Sequence, residues 1–223
     1  MAYLQKTFLA VAAAGFLAMA GSAAATTITF DDLAIGTTLS NQYSGQGVTF
    51  SANAFSGAGG PTGNWATNTN LTIVSATGSD VGSLGTPSLV GGNLLRSFVG
   101  WLGENGDPSF LISFGSAVNS VNLDFAGVAI PSSTRLFVYN GAALLGVVTG
   151  SVKGQFTLGY SAASITSIGV TPGDFSDWVG VDNLTYTLAG GPVPEPATWG
   201  LMLVGFGGLG TVLRRRRVQV ISA

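Results

Sequence analysis

The chain has 223 residues, of which 46% are hydrophobic and only 8% are charged, and it contains neither cysteine nor histidine. The lack of histidine excludes Ser-His-Asp and Cys-His catalysis as well as histidine-ligated zinc. The lack of cysteine means that no disulfide stabilises the fold.

The N-terminal segment has the pattern of a secretory signal peptide. Lys6 supplies a short positive region, residues 7–20 form an apolar stretch, and Ala23-Ala24-Ala25 fits the small-residue site that signal peptidase recognises. We therefore expect residues 1–25 to be a signal peptide that signal peptidase removes by cutting before Thr26. An uncleaved N-terminal anchor is the alternative interpretation.

The segment that follows is acidic. Residues 26–191 contain three basic residues, Arg96, Arg135 and Lys153, against nine acidic residues, which gives a net charge of about −6. Because nucleic-acid binding depends on Lys and Arg side chains that neutralise phosphates, this balance argues against a nucleic-acid partner. It permits cations, neutral polysaccharide or no ligand at all. A body of about 165 residues is long enough to form one domain with its own core.

Short β-branched and aromatic runs separated by Gly, Ser and Asn predict an all-β domain over residues 26–190, with no helical stretch of length. The predicted strands are 27–30, 47–51, 71–76, 94–101, 109–114, 121–125, 134–139, 142–149, 155–158, 164–170 and 178–188. Asn140-Gly141 predicts a type I′ hairpin. Many short antiparallel strands, spaced by about ten residues, favour a two-sheet jelly-roll sandwich.

The C-terminal segment has three consecutive parts. Residues 192–196 form a proline-rich spacer, and residues 197–213 carry no charge and have just the length of a transmembrane helix. Trp199 lies at one end of this stretch and four arginines follow the other end. Because positive residues stay on the cytoplasmic side, the body is expected on the opposite face of the inner membrane.

This segment resembles the PEP-CTERM sorting signal of Gram-negative bacteria, in the form in which a tryptophan follows the PEP triplet. The residues that carry the resemblance are Pro194, Glu195, Pro196, Trp199, Gly205, Phe206, Gly207, Arg214, Arg215, Arg216 and Arg217. The resemblance covers residues 192–217 and implies an exosortase that recognises the PEP triplet and releases or transfers the body outward. The tail 218–223 continues beyond the point where many members stop. An ordinary C-terminal anchor is the alternative.

The body has a looser resemblance of its own. The stretch Phe30-Asp31-Asp32-Leu33 is similar to the opening of many PEP-CTERM proteins, and residues 179–186 resemble the last strand of galactose-binding-like and carbohydrate-binding jelly rolls. In such folds the first and last strands often lie side by side, which implies that Asp31 or Asp32 lies near Asp182. Calcium prefers carboxylate and carbonyl oxygens, so a structural calcium ion is one hypothesis, and turn-forming aspartates are the alternative.

Tryptophans in polar loops suggest a sugar-binding patch, because sugar rings stack on aromatic faces while amides take their hydroxyls. The first candidate is Trp65 with Asn64 and Asn68, and the second is Trp101. In the simpler interpretation, these tryptophans cover an end of the sandwich.

Three functions follow from these patterns. The first is a non-enzymatic surface or extracellular-matrix protein that an exosortase sorts and that associates with exopolysaccharide. The second is a dedicated carbohydrate-binding module. The third is a secreted glycoside hydrolase, for which Glu104 with Asp107, or Asp174 with Asp177, would have to supply two convergent carboxylates.

Overall fold

The structure, a computed structural model, describes residues 24–52, 67–68, 71–77, 88–96, 106–173, 177, 179–190, 202 and 205–206. Residues 23–190 form one compact unit. Its described part is all-β, with two short 3-10 helices at Ser44–Gln46 and Pro131–Ser133. Beyond this unit, the described residues Met202, Gly205 and Phe206 are helical.

Eleven strands are defined in the described part of the unit. They are β1 (Ala25–Ile28), β2 (Val48–Ala52), β3 (Thr67–Asn68), β4 (Thr72–Ser75), β5 (Asn93–Arg96), β6 (Gly106–Asp107), β7 (Phe110–Val128), β8 (Arg135–Asn140), β9 (Ala143–Thr149), β10 (Gly154–Thr171) and β11 (Gly180–Leu188). Seven of them form a path in the order β4-β5-β11-β7-β10-β8-β9, from which β1 branches at β11 and β2 branches at β7. All pairings in this sheet are antiparallel, whereas β3 and β6 form a separate short parallel pair.

Two long strands turn this sheet into a sandwich. The first part of β7 pairs with β2, its last part pairs with β11, and β10 follows β7 along most of its length. The β7–β10 register shifts between Ser161 and Ile165 and again before Ser167. Such irregularities bend a strand and increase its twist, so both strands leave one layer and enter the other.

The long strands correct the prediction in one respect. Residues 109–114 and 121–125 were expected to be separate strands, as were 155–158 and 164–170, because small residues between them resemble turns. The backbone instead stays paired there, and the amide of Gly115 donates to the carbonyl of Gly47 at 2.7 Å. The two predicted sheets are therefore one hydrogen-bonded sheet that forms both layers.

The burial pattern of β7 follows the same change of layer. Phe110, Ile112 and Phe114 are buried at even positions, whereas Val121 and Leu123 are buried at odd positions. The phase changes after Val118, where β7 has one more residue than the paired segment of β11. One extra residue moves all following side chains to the opposite face of the strand. The apolar residues therefore stay buried only if they change from even to odd positions at this point.

Aromatic contacts join the two layers across the core. The rings of Phe30, which follows β1, and Phe50 in β2 lie 5.8 Å apart in an edge-to-face arrangement. The rings of Phe114 in β7 and Tyr186 in β11 lie 5.5 Å apart. Phe30 is fully buried although its φ of +60° is in the left-handed region, where a bulky residue is strained.

The β8–β9 hairpin is present where the sequence predicts it, but its turn differs. Asn140 pairs with Ala143, so the loop residues are Gly141 and Ala142 rather than Asn140 and Gly141. Of these positions, only Gly141 has a positive φ, at +58°. Glycine at the first loop position with φ above zero fits a type II′ turn, whereas type I′ needs positive φ at both positions.

Candidate functional site

The described residues bring several carboxylates together where β1, β11 and β7 meet. We call the three carboxylates of Asp31, Asp124 and Asp182, together with the side chain of Asn183, the cluster. As the sequence predicted, the first and last strands are neighbours: Ala25 pairs with Thr187 and Ile28 with Leu184. The chain after β1 therefore carries Asp31 towards the first half of β11.

An irregularity in β11 shapes the cluster. Asp182 lies opposite Asp124 of β7, and the register shifts before Thr185 lies opposite Asn122, so β11 has one extra residue here. Asn183 has a φ of +50°, a conformation that asparagine tolerates better than most residues. The backbone amide of Asn183 donates to Asp182 Oδ1 at 2.7 Å. The Asp182 side chain is buried.

The loop 88–93 closes over the carboxylates. The amide of Gly91 donates to Asp182 Oδ2 at 3.2 Å, and the amide of Asn93 donates to Asp31 Oδ1 at 2.8 Å. Between them, Gly92 has a φ of +62°, and a Cβ atom at this position would lie 2.0 Å from Asp31 Oδ1. Only glycine fits this position, because any side chain would collide with the carboxylate.

The side chain of Asn183 connects three segments of the fold. Its Nδ2 donates to Asp124 Oδ2 and to the carbonyl of Leu89, both at 2.9 Å. Asp124 also accepts a hydrogen bond from the hydroxyl of Thr157 in β10. Asn183 thus ties β11 to β7 and to the loop 88–93 at once.

Burial raises the pKa of Asp182 from 3.8 to about 7. The hydrogen bonds from Asn183 and Gly91 lower this pKa, whereas the negative charges of Asp31 and Asp124 raise it further. Asp32 is engaged elsewhere, because it accepts the hydroxyl of Tyr43 at 2.5 Å. Burial, that hydrogen bond and the neighbouring carboxylates raise the pKa of Tyr43.

The hypothesis of a calcium site at Asp31, Asp32 and Asp182 stays a prediction. Asp31 and Asp182 are drawn to the same loop, yet backbone amides already donate to Asp31 Oδ1 and to both oxygens of Asp182. Among the described residues, no group of three or more acidic side chains has the arrangement of a metal site. A melting temperature that neither calcium nor a chelator changes would contradict the hypothesis.

Most of the other candidate residues lie outside the described part of the chain. Asn64, Trp65, Trp101, Glu104 and Asp174 belong to this group, and so do Pro194, Glu195, Pro196, Trp199 and the arginines at 214–217. The backbone of Asn68 in β3 pairs with that of Asp107 in β6. The sugar-binding patch therefore also stays a prediction.

Asp177 has a structural contact that the sequence analysis missed. Its Oδ1 accepts the amide of Ala129 at 2.7 Å, and its Oδ2 accepts the amide of Ile130 at 2.9 Å. The side chain is 2% exposed. A buried carboxylate needs hydrogen-bond donors, and the two successive amides supply them, so Asp177 fixes the chain as it leaves β7. Asp124 and Asn183 were also missed, since only the tertiary fold brings them to Asp182.

The described part of the chain thus contains an all-β antiparallel sandwich, and a C-terminal segment follows it in the sequence. Residues 192–217 of that segment match the family model of the PEP-CTERM protein-sorting motif. The chain thus carries this sorting motif, which confirms the resemblance drawn from the sequence. In the part of the chain that the structure describes, no helix is long and apolar enough to cross a membrane. The predicted span 197–213 lies outside that part except for Met202, Gly205 and Phe206.

No curated protein matches the chain, whereas solved structures are similar at low identity. The K2 cleaved adhesin domain of Lys-gingipain is 13% identical with a TM-score of 0.45, over 74% of this chain and 100% of that chain. The K1 adhesin domain from Porphyromonas gingivalis W83 is 12% identical with a TM-score of 0.40, over 75% and 99%. The family 11 carbohydrate-binding module from Clostridium thermocellum is 12% identical with a TM-score of 0.31, over 75% and 97%. At TM-scores below 0.5, these similarities identify no ligand for this chain.

The raised pKa of Asp182 makes stability depend on pH. The folded chain holds this proton up to about pH 7, whereas 3.8 is the ordinary pKa of the group. The free energy of unfolding should therefore fall as pH rises from about 4 to about 7, by on the order of 2–4 kcal/mol. Asp182→Asn removes the titrating group, so its stability relative to wild type should increase over this interval. Urea unfolding with a chelator present measures both curves, and parallel curves would contradict the assignment.

Two substitutions of Asn183 separate the contribution of its side-chain hydrogen bonds from that of its backbone conformation. Asn183→Gly keeps the left-handed backbone but loses both side-chain hydrogen bonds, and we expect it to cost about 1–3 kcal/mol. Asn183→Ala loses the same bonds and adds backbone strain, so it should cost about 1 kcal/mol more. The exposed Ser151, between β9 and β10, provides the control variant Ser151→Ala, which should stay within about 0.5 kcal/mol of wild type. Equal stability of the Gly and Ala variants would show that the backbone conformation carries no strain.

Proposed function

We propose that this protein is an exported, non-enzymatic surface or extracellular-matrix protein of a Gram-negative bacterium, which an exosortase sorts through its C-terminal signal. The observation that carries the proposal is the match of residues 192–217 to the PEP-CTERM protein-sorting motif. Because the motif specifies sorting, it accounts for the destination of the body. It does not identify a ligand or a reaction of the body.

Each part of the C-terminal segment has a role in this proposal. The triplet Pro194, Glu195 and Pro196 is the recognition element for the exosortase. The apolar residues 197–213 hold it at the inner membrane as a transmembrane helix, with Trp199 at the interface and the arginines on the cytoplasmic side. The helical conformation of Met202, Gly205 and Phe206 supports this role. At the other end, signal peptidase removes residues 1–25, and the body is exposed in the periplasm before sorting.

The described part of the body supports a structural rather than a catalytic role. Asp177, one of the carboxylates that a hydrolase would need, is buried and accepts two backbone amides. Asp182 is buried too and accepts the amides of Gly91 and Asn183. Glycoside hydrolysis requires two carboxylates that face the glycosidic bond, and neither of these side chains is available to face a substrate.

The side-by-side position of β1 and β11 supports the jelly-roll interpretation of the sandwich. The same two strands support an association with exopolysaccharide, because hydroxyls lie on their partly exposed side. Thr27 and Thr185 hydrogen-bond to each other at 2.8 Å, and Ser120 of β7 bonds to Thr187 at 2.9 Å. Neutral hydroxyls of this kind can exchange hydrogen bonds with a neutral polymer without the desolvation of a charge.

The sorting role is tested by mass spectrometry of the protein recovered from the native host. We expect the wild-type protein outside the cell to begin at Thr26 and to lack the arginine run. Glu195→Ala should keep the arginine run and remain with the inner membrane, since the recognition triplet is broken. Gln219→Ala, beyond the arginines, is the control and should be processed like wild type. An extracellular protein that still carries residues 214–217 would contradict the proposal.

A dedicated carbohydrate-binding function depends on Trp65 rather than on the sorting motif. If Trp65 stacks on a sugar ring, Trp65→Ala should lose most of its retention by exopolysaccharide in affinity electrophoresis, because stacking on an aromatic face is removed. Trp65→Phe keeps an aromatic face, so this variant should keep part of the retention by exopolysaccharide. Equal migration of wild type and Trp65→Ala would count against sugar binding at this position.

A further inference from the structure

The first strand of the sandwich includes the bond at which we expect the leader to be removed. The small residues Ala23-Ala24-Ala25 predict cleavage between Ala25 and Thr26. In the folded domain, Ala25 pairs with Thr187 and Thr26 pairs with Tyr186. Both residues that flank the scissile bond thus belong to β1, and their backbones are paired with β11.

Side chains strengthen this pairing on both sides of the bond. The Tyr186 side chain, opposite Thr26, donates its hydroxyl to the carbonyl of Gln46 at 2.7 Å. The hydroxyls of Thr27 and Thr185 lie 2.8 Å apart. The Ala25 side chain is exposed. Because successive residues of an antiparallel strand alternate between bonding to the partner and facing away from it, one of the two residues at the bond is bonded to β11, and the bond lies within a paired strand.

Core residues hold β1 in place just downstream of the bond. Ile28 is 2% exposed and Phe30 is fully buried. The Phe30 ring packs edge-to-face against Tyr43 and Phe50 with centroid distances of 5.9 and 5.8 Å. To release the scissile bond from β11, the domain must open this end of its core, or at least peel off the first residues of β1.

We propose that leader removal and docking of β1 on β11 exclude each other, so that the Ala25–Thr26 bond is cut only before the β1–β11 seam closes. The inference rests on the proposed export of the chain through a cleaved leader. The step itself is a hydrolysis: the amide bond between Ala25 and Thr26 breaks, water supplies the hydroxyl of the new Ala25 carboxyl group, and the proton goes to the Thr26 amine.

The position of β11 in the chain makes this order the natural one. β11 is the last strand of the sandwich, so it follows β1 by more than 150 residues and reaches the far side of the membrane last. Until then, β1 has no partner on this edge, and the bond stays extended and accessible. Once β11 arrives, pairing covers the bond, and cleavage then requires local unfolding of the seam.

The experiment uses the full-length precursor with its leader, purified in detergent micelles, and purified bacterial signal peptidase. The folded precursor and the same precursor in urea that unfolds it but not the peptidase are digested side by side, with a short peptide substrate as the measure of peptidase activity. We expect the Ala25–Thr26 bond to be cut at least about tenfold more slowly in the folded precursor, because only its locally opened fraction is a substrate. Equal rates would overturn the proposal.

A variant on the opposite strand separates the seam from general instability. Thr185→Val removes the hydroxyl contact to Thr27 but leaves the leader and the cleavage sequence unchanged. Because one cross-strand pair is affected, cutting of the folded precursor should be up to about fivefold faster, while the rate in urea stays the same. The control is Thr77→Val, which removes a hydroxyl pair with Ser75 away from the seam and should leave both rates unchanged.

The two arms tell the possible failures apart. If the unfolded precursor is not cut between Ala25 and Thr26, the leader assignment within the proposed function fails, and this inference fails with it. If the unfolded precursor is cut there but the folded one is cut equally fast, the assignment of the leader stands and only the closing seam is refuted. Acceleration by Thr77→Val equal to that by Thr185→Val would also refute a specific role of the seam.

Discussion

The sandwich depends on backbone pairing that continues through β7 from one layer into the other. Because β7 pairs with β2 at its beginning and with β11 at its end, the two layers cannot separate without breaking this strand's hydrogen bonds. The extra residue after Val118 lets the apolar side chains stay buried on both sides of the change of layer. The chain has no cysteine, so this continuous strand, and not a disulfide, connects the two layers.

The same constraint explains why the carboxylate of Asp182 is buried next to β7. The irregularity at Asn183 lets β11 remain paired with β7 while Asp182 turns towards the loop 88–93. Burial of Asp182 is unfavourable when it is charged, and the backbone amides of Gly91 and Asn183 offset part of that cost. The loop gains its anchor from these bonds, and Gly92 is small enough to pass Asp31.

The sequence predicted what depends on local pattern. The Asn140-Gly141 pair located a hairpin, and the residues at 192–217 identified the sorting motif. It did not predict that β7 and β10 continue through their small residues, because a Gly-Ser pair resembles a turn unless the partner strand is known. Asp124 and Asn183 could not be identified for a similar reason, since 59 positions separate them.

The two ends of the sandwich leave from one edge of the sheet, because Ala25 lies opposite Thr187. In the sequence, only residues 189–193 separate the end of β11 from Pro194. β11 is thus both the last strand of the sandwich and the strand that precedes the sorting motif in the sequence.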